Sequence, residues 1–188
     1  MVVTSDLRTG SAFKYGNDPF IVQRMLGQKG GRAGIVTRLR VKNIVTGQTQ
    51  DLGLDAGEKF EEIDLEHKDM KLSYVDGDTY VFMDQETYEQ YELSKEDLGD
   101  NAGYMTPEDD IVVQITFYED KPVGITLPIS ITRTITYCEP GVKGDTSGKS
   151  TKPATLDTGI QVNVPLFCDI GTKINIDTRD GSFIERVK

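Results

Sequence analysis

Three stretches of this chain carry residue types at spacings that could do chemistry, and each falls short of an enzyme. Gly144-Asp145-Thr146-Ser147-Gly148-Lys149-Ser150 resembles a phosphate-binding loop. That motif needs four residues between its glycines, and here there are three. No strand precedes it and no long helix follows to aim backbone N–H groups at a phosphate. Asp157-Thr158-Gly159 matches the triplet of aspartic-type hydrolases, which work with two carboxylates sharing one proton. No second triplet exists, so only a dimer would supply the partner. A nucleophile–histidine pair would depend on His67, the single histidine, and no Gly-x-Ser-x-Gly is present. The two cysteines, Cys138 and Cys168, lack Cys-x-x-Cys spacing and read as reduced, buried thiols. No catalytic residue, metal or cofactor is therefore expected.

The stretch that points to a function is Gly27-Gln28-Lys29-Gly30-Gly31-Arg32-Ala33-Gly34. Four of its eight residues are glycine, and it holds two cations and no acid. It lies between two apolar runs, Phe20-Ile21-Val22 with Met25-Leu26 before it and Ile35 to Val41 after it. Two strands with a glycine-rich connection read as a β-hairpin. Its tip, Lys29, Gly30, Gly31, Arg32 and Ala33, presents a long cation with little bulk beside it. In the following strand Ile35, Thr37, Leu39 and Val41 alternate with Val36, Arg38, Arg40 and Lys42. That period of two marks a half-buried strand whose outer face is basic.

The elements that must position this tip read as β throughout. Ser11 to Tyr15, the two hairpin arms and Gln48 to Leu52 suggest a small barrel. Lys71 to Val75 and Asp78 to Met83 flank an Asp76-Gly77 turn. Ser94-Lys95-Glu96-Asp97 is able to cap one helical turn. Ile111 to Tyr118 and Val123 to Leu127 flank a turn at Glu119-Asp120-Lys121. Ile129 to Tyr137, a loop over residues 139–152, Ile160 to Val164, and a final hairpin turning at Asp180-Gly181 complete the chain. Three segments of about sixty residues result, 1–64, 65–126 and 127–188, each marginal alone and helped by docking on a neighbour.

Charge divides the same way. The net charge of −10 splits into +1, −12 and +1 over those segments. No acid occurs between Asp18 and Asp51, whereas Arg24, Lys29, Arg32, Arg38, Arg40 and Lys42 all do. An acidic protein with one basic protrusion fits a partner met mainly through that protrusion. No stretch approaches the roughly 18 apolar residues of a membrane span. The first residues lack the pattern of a signal peptide, so a cytoplasmic location is expected.

Taken together, these residues resemble bacterial elongation factor P. The resemblance runs along the whole chain. It rests on the hairpin followed by Leu39-Arg40-Val41-Lys42-Asn43-Ile44-Val45-Thr46-Gly47, and on Tyr80-Val81-Phe82-Met83-Asp84. It rests also on the run from Glu139-Pro140-Gly141 to Gly148-Lys149, and most of all on Lys152-Pro153-Ala154-Thr155-Leu156-Asp157-Thr158-Gly159 with Val162-Asn163-Val164-Pro165. The resemblance implies an all-β fold of three small β-barrels in series. An SH3-like N-terminal domain precedes two OB-like domains, in an L-shaped, tRNA-like arrangement. It implies a non-catalytic translation factor that binds both ribosomal subunits beside peptidyl-tRNA and relieves stalling at consecutive prolines. It implies a monomer, with no membrane partner.

Counting back from Asn43, Arg32 stands where familiar members carry a modified lysine, and Gly30 where they carry proline. That resembles the branch whose tip arginine is rhamnosylated by an arginine rhamnosyltransferase using dTDP-rhamnose. Lys29 is the second candidate for modification. The resemblance also implies RNA contacts by Arg38, Arg40 and Lys42 and, at the third-segment loop, by Lys143, Gly144, Asp145, Thr146, Lys149 and Lys152. The competing readings are an OB-fold single-strand RNA-binding protein, which would need aromatics on a basic face, and an aspartic-type hydrolase.

Overall fold

The structure is a computed structural model, and it describes residues 1–31, 34–141 and 150–188. Strand pairing builds three sheets in chain order. The first holds β1 (Val2–Val3), β2 (Ala12–Tyr15), β3 (Asp18–Gly31), β4 (Gly34–Asn43), β5 (Thr49–Asp55) and β6 (Lys59–Glu62), in the order β1-β6-β2-β3-β4-β5. The second holds β7 (Glu66–Asp76), β8 (Thr79–Asp84), β9 (Gln90–Ser94), β10 (Val112–Tyr118) and β11 (Lys121–Thr126), in the order β11-β10-β7-β8-β9. The third holds β12 (Ser130–Cys138), β13 (Thr151–Leu156), β14 (Gln161–Pro165), β15 (Lys173–Asp177) and β16 (Phe183–Arg186), in the order β14-β13-β12-β15-β16. The all-β expectation holds. By compactness the chain divides into two units, Met1–His67 with Thr116–Val123, and Lys68–Ile115 with Gly124–Lys188.

Alternation explains the cores. In the first sheet Phe13, Phe20, Val22, Leu39, Val41, Leu54 and Phe60 bury against Leu7, with the Phe13 and Phe60 rings 5.1 Å apart. In the third, Ile131, Ile135, Leu156, Val164, Ile174 and Ile176 enclose the Cys138 and Cys168 thiols, which are free and buried as expected. His67 is exposed, with Nδ1 3.1 Å from the Thr116 hydroxyl. The capping motif forms: Ser94 caps α1 (Lys95–Leu98), its hydroxyl accepting from Asp97 N–H while Asp97 accepts from Ser94 N–H.

Three local expectations need correction. The turn between β7 and β8 is Gly77-Asp78, because Asp76 pairs with Thr79; Gly77 takes the positive φ of 59°. Between β10 and β11 the turn is Glu119-Asp120, both at positive φ, with Lys121 already in the strand. The strand β13 starts at Thr151, inside the stretch read as loop. Pro153 is accommodated because it pairs with Asn163 of β14 and lies beyond the β12 ladder, where a missing N–H costs nothing. No expectation covers β1, β6 or β9: β1 and β6 are too short to show a period and are placed by pairing with each other and with β2, whereas β9 alternates polar and apolar residues and pairs with β8.

One buried cation organises the second unit. Arg133 on β12 is about 2% exposed. Its Nε donates to Tyr104 C=O at 3.1 Å and its Nη1 to Asp109 at 2.9 Å; the Asp157 carboxylate lies 3.5 Å away. Nη2 also bonds Asp109. Asp109 and Tyr104 belong to the segment between β9 and β10, so this guanidinium ties that segment onto the third sheet. Glycines let the surfaces close: a Cβ on Gly103 would stand 2.5 Å from Ile160 Cγ2, and one on Gly181 2.9 Å from the Tyr104 hydroxyl. Burial pushes the Asp109 carboxyl up, but hydrogen bonds from Arg133 and Thr106 N–H and the Arg133 charge outweigh it, leaving it below the usual carboxylate range.

Removing this clamp leaves a carboxylate desolvated and unpaired. Arg133→Met should destabilise the protein by about 3 kcal/mol near neutral pH. A depressed carboxyl contributes stability above the unfolded value of about 4, and loses it as pH falls through the folded value. The gap between wild type and Arg133→Met should therefore narrow as pH falls below about 4. Denaturant melts at pH 7 and at pH 3 measure both; an equal gap at the two values would show that Asp109 is not the partner that matters.

Candidate functional site

The site is built on β3 and β4. Their pairing runs from Phe20 opposite Asn43 to Gly31 opposite Gly34. Two irregularities, between Val22 and Arg24 and between Met25 and Gly27, insert extra residues into β3. Bulges of this kind bend a ribbon and increase its twist; Gly27, at φ 132°, permits the second. Near the base, β4 is paired on both edges, with β3 on one side and β5 on the other. The β5 ladder ends at Val36 opposite Asp55. From there outward Lys29, Gly30 and Gly31 pair with Val36, Ile35 and Gly34, and among the described residues the last backbone bond from outside the hairpin is Ala56 N–H donating to Ile35 C=O at 2.9 Å. Among the described residues, and chain neighbours aside, no atom lies within 4 Å of where a Cβ would stand on Gly30, Gly31 or Gly34. The end of the hairpin is thus a bare two-stranded ribbon. Arg32 and Ala33 lie between its last paired residues in sequence and fall outside the described residues.

Alternation puts Thr37, Leu39, Val41 and Asn43 inward, all buried. Ile35, expected on the same face, is exposed, because by its position the ribbon has left the core. Outward stand Val36, Arg38, Arg40 and Lys42. Residues opposite one another share a face, so β3 adds Lys29, Gly27, Arg24 and Ile21, and β5 adds Asp55, Gly53, Asp51 and Thr49. Arg38 therefore stands between two glycines, Gly27 and Gly53, with no cross-strand side chain on either hand. Arg40 stands between Arg24 and Asp51.

That register revises the reading of a stretch free of acids. Asp51 is distant in sequence but directly opposite Arg40, and the pair is bidentate at 2.8 and 3.2 Å. The Arg40 hydrogen bonds, with help from the charges of Arg40 and Arg38, hold the Asp51 carboxyl below its usual range, and Arg40 is raised in turn. Arg40 is thus an anchored cation, whereas nothing on the neighbouring strands occupies Arg38. Arg24 was missing from the expected contact residues. The bulge after Val22 brings it onto this face, a shift that strict alternation along β3 does not reveal.

The third-segment candidates fare differently. Lys143, Gly144, Asp145, Thr146 and Lys149 lie outside the described residues, as does most of the phosphate-loop-like stretch. Lys152 must be withdrawn as an RNA contact. It lies on β13 with its side chain 6% exposed, its Nζ 3.7 Å from Asp169 Oδ1 and without a hydrogen bond among the described residues. Alternation from Ala154 and Leu156 turns it inward, and a buried ammonium does not reach a phosphate. Asp157, the acid of the hydrolase-like triplet, faces Arg133 at 3.5 Å as a structural ion-pair partner.

Comparison with known proteins adds three family matches covering nearly the whole chain. Residues 3–60 match the elongation factor P KOW-like domain, residues 65–125 the elongation factor P OB domain, and residues 131–186 the elongation factor P C-terminal domain. Among curated relatives, elongation factor P of Fusobacterium nucleatum is 42% identical over 188 residues, and that of Methylobacillus flagellatus 43% identical over 188 residues, each with both chains fully covered. Elongation factor P of Bordetella petrii is 43% identical over 187 residues, again with full coverage of both. Among solved structures, eukaryotic translation initiation factor 5A from Methanococcus jannaschii aligns with a TM-score of 0.47 and 18% identity, over 68% of this chain and 92% of that one.

The Arg40–Asp51 pair gives a direct check on the register of the cationic face. Carboxyl-carbon NMR through an acid titration should find Asp51 titrating below ordinary aspartates. Arg40→Gln should move it up toward the ordinary value, while Lys42→Gln leaves it in place. An Asp51 that titrates normally in the wild type would mean the pair does not form.

Proposed function

The chain belongs to the elongation factor P family, and from that premise we propose that it acts by reaching its β3–β4 tip to peptidyl-tRNA on the ribosome and relieving stalls at consecutive prolines. The family is one of translation elongation factors and not of enzymes in the usual sense. The three family matches support an organisation into domains at 1–64, 65–126 and 127–188.

The observation that carries this reading is the bare ribbon beyond Val36. A group that must enter a crowded RNA-lined site needs a thin support with its backbone satisfied within itself. The end of the β3–β4 ribbon, where Gly30, Gly31 and Gly34 carry no side chains and their Cβ positions are open, has that form. Proline reacts slowly as an acceptor because its amine is secondary and constrained, and as a donor because its ring restricts the chain. A factor that holds peptidyl-tRNA in reactive geometry contributes positioning, which lowers the entropic part of the barrier. Arg24, Lys29, Arg38 and Lys42 then hold the ribbon's base against phosphates, with Arg38 the most open among the β4 arginines.

Arg32 is the residue we assign to the tip. A guanidinium that keeps its proton throughout the physiological range is a feeble nucleophile, so a transferase must supply carboxylates to engage it. Small neighbours in sequence, Gly31 and Ala33, leave room for such an enzyme. Rhamnosylation from dTDP-rhamnose would add hydroxyl donors and acceptors at the tip; Lys29, two pairs back on the ribbon, is the alternative acceptor. Lys143 and Lys149, with Gly144, Asp145 and Thr146, are proposed as small-subunit contacts.

Intact mass of the protein from its native host should exceed the sequence mass by about 146 Da, one deoxyhexose. Arg32→Lys keeps a charge but loses the planar fork; it should carry no sugar, bind ribosomes through the other cations, and fail to speed a Pro-Pro-Pro reporter. Unmodified native mass, or full rescue by both Arg32→Lys and Arg32→Ala, would remove Arg32 from this role. Separately, Arg38→Glu should weaken ribosome binding and flatten its dependence on salt, because each lost phosphate contact releases fewer counterions. Since Arg40 is already paired, Arg40→Gln should change the slope less than Arg38→Gln.

A further inference from the structure

β14 forms one end of the third sheet and β16 the other, and no pairing joins them among the described residues. β14 therefore has a free edge, and its ladder to β13 decides which groups stand there. Leu156 N–H donates to Ile160 C=O at 2.9 Å, which marks that pair as hydrogen-bonded. In an antiparallel ladder such pairs alternate with pairs whose backbone groups turn away from each other. Counted along the register, Ala154–Val162 and Lys152–Val164 are bonded, whereas Thr155–Gln161 and Pro153–Asn163 are not. The N–H and C=O groups of Gln161 and Asn163 thus point away from β13, out of the free edge. Pro153 fits the same count, because a residue of a turned-away pair donates no N–H to β14.

Those edge groups open on a cleft. A cavity of about 460 Å³ is lined by β14 from Gln161 to Pro165, by Thr151 of β13, and by the turn from Asp180 to Phe183. Its volume is that of an ordinary binding cleft. Val162, Pro165 and Phe183 supply apolar surface. No lysine or arginine lines it. Its one charged group is Asp180, whose carboxyl is held below the usual range by hydrogen bonds from Ser182, the backbone N–H at 2.9 Å among them. The neighbouring cation, Arg179, is engaged by Asp177 at 2.6 Å. A phosphate backbone finds no cation in this cleft. Alternate N–H and C=O groups at strand spacing are instead the complement of an extended peptide, and Asp180 is the complement of a basic side chain on it.

We infer that the free edge of β14 is a docking site for an extended segment of another protein, which adds to β14 as a further strand and sets a lysine or arginine against Asp180. Gln161 and Asn163 supply the backbone bonds, and Pro165, with no N–H, ends the ladder. The added strand is therefore short.

The test uses the full chain without ribosomes, so its outcome is independent of the function proposed above. The probe is the blocked pentapeptide Val-Thr-Lys-Thr-Val, titrated by NMR against labelled protein. Three controls run beside it: the same peptide N-methylated at alternate residues, its analogue with Glu for Lys, and oligouridylate. Saturable shifts should centre on Gln161, Asn163 and the Asp180–Phe183 turn. With peptide at about ten times its Kd, exchange of the Gln161 and Asn163 amides should slow about tenfold. N-methylation should abolish binding, since it removes the ladder and leaves the side chains. The Glu analogue should bind about two- to fivefold more weakly, and Asp180→Asn should erase that difference. Asn163→Pro should lose the peptide while the Val162 and Val164 amides stay protected, because the lost N–H does not serve β13; the N-methylated peptide asks the same question of the unaltered protein. Absence of saturable shifts, shifts centred elsewhere, equal binding of the N-methylated or Glu peptide, or oligouridylate bound at Gln161 and Asn163 would each overturn the proposal.

Discussion

The hydrogen-bond ladder of β4 is the constraint on which the candidate site depends. Near its base the strand is paired on both edges, and one face must bury Thr37, Leu39, Val41 and Asn43. A slip of one residue would turn those side chains to water and bring Arg38 and Arg40 into the core. The cost of burying two guanidiniums without partners forbids it. The core thereby dictates where the cations stand, and the cations need no interaction of their own to be placed. The same ladder, once β5 and the Ala56 N–H bond to Ile35 C=O are passed, continues as a two-stranded ribbon to the Gly31–Gly34 pair. Rigid base and bare tip are consecutive parts of one pair of strands.

The second unit uses a different device. Its third sheet has a full apolar core, but the segment between β9 and β10 is held to that sheet by a charge. Arg133 is buried with two carboxylates and a carbonyl around it. Such a cluster adds little net stability over an apolar contact of the same shape, yet it tolerates few alternative arrangements. The glycines opposite Ile160 and Tyr104 make the fit close enough for the charge to be shielded. Asp157, which in sequence looks like half of a catalytic dyad, is one of the anions this cation requires.

Electrostatics and strain divide the labour along the chain. Arg24, Lys29, Arg38, Arg40 and Lys42 gather on one outward face, where Asp51 trims them and leaves Arg38 open. The second segment carries the negative excess, and there, among the described residues, sit the non-glycine residues at positive φ, Tyr88, Glu119 and Asp120, all in turns between strands. Backbone strain in turns is tolerated because the strands on either side are locked by their ladders. It is at the ends of well-paired strands that a protein can hold a side chain in an unfavourable conformation without unfolding around it.

Alternation, turn residues and a capping box are local signals, and they made much of the β architecture legible in the amino-acid sequence: the hairpin of β3 and β4, the inward face of β4, the single capped turn at Ser94, and the family through its linked motifs. What the sequence could not determine were the quantities set by residues far apart. Asp51 faces Arg40 because β5 pairs in one register and not another. Arg24 joins the cationic face because a bulge shifts it there. Lys152 is buried because β13 runs through Pro153, whose missing N–H falls where no partner strand needs it. Asp157 became a structural anion only when Arg133 was brought beside it. In each case the side chain's chemistry was readable from its type, but its neighbour was not, since strand register and sheet order are decided by the cooperative burial of the core and only then assign each charge its partner.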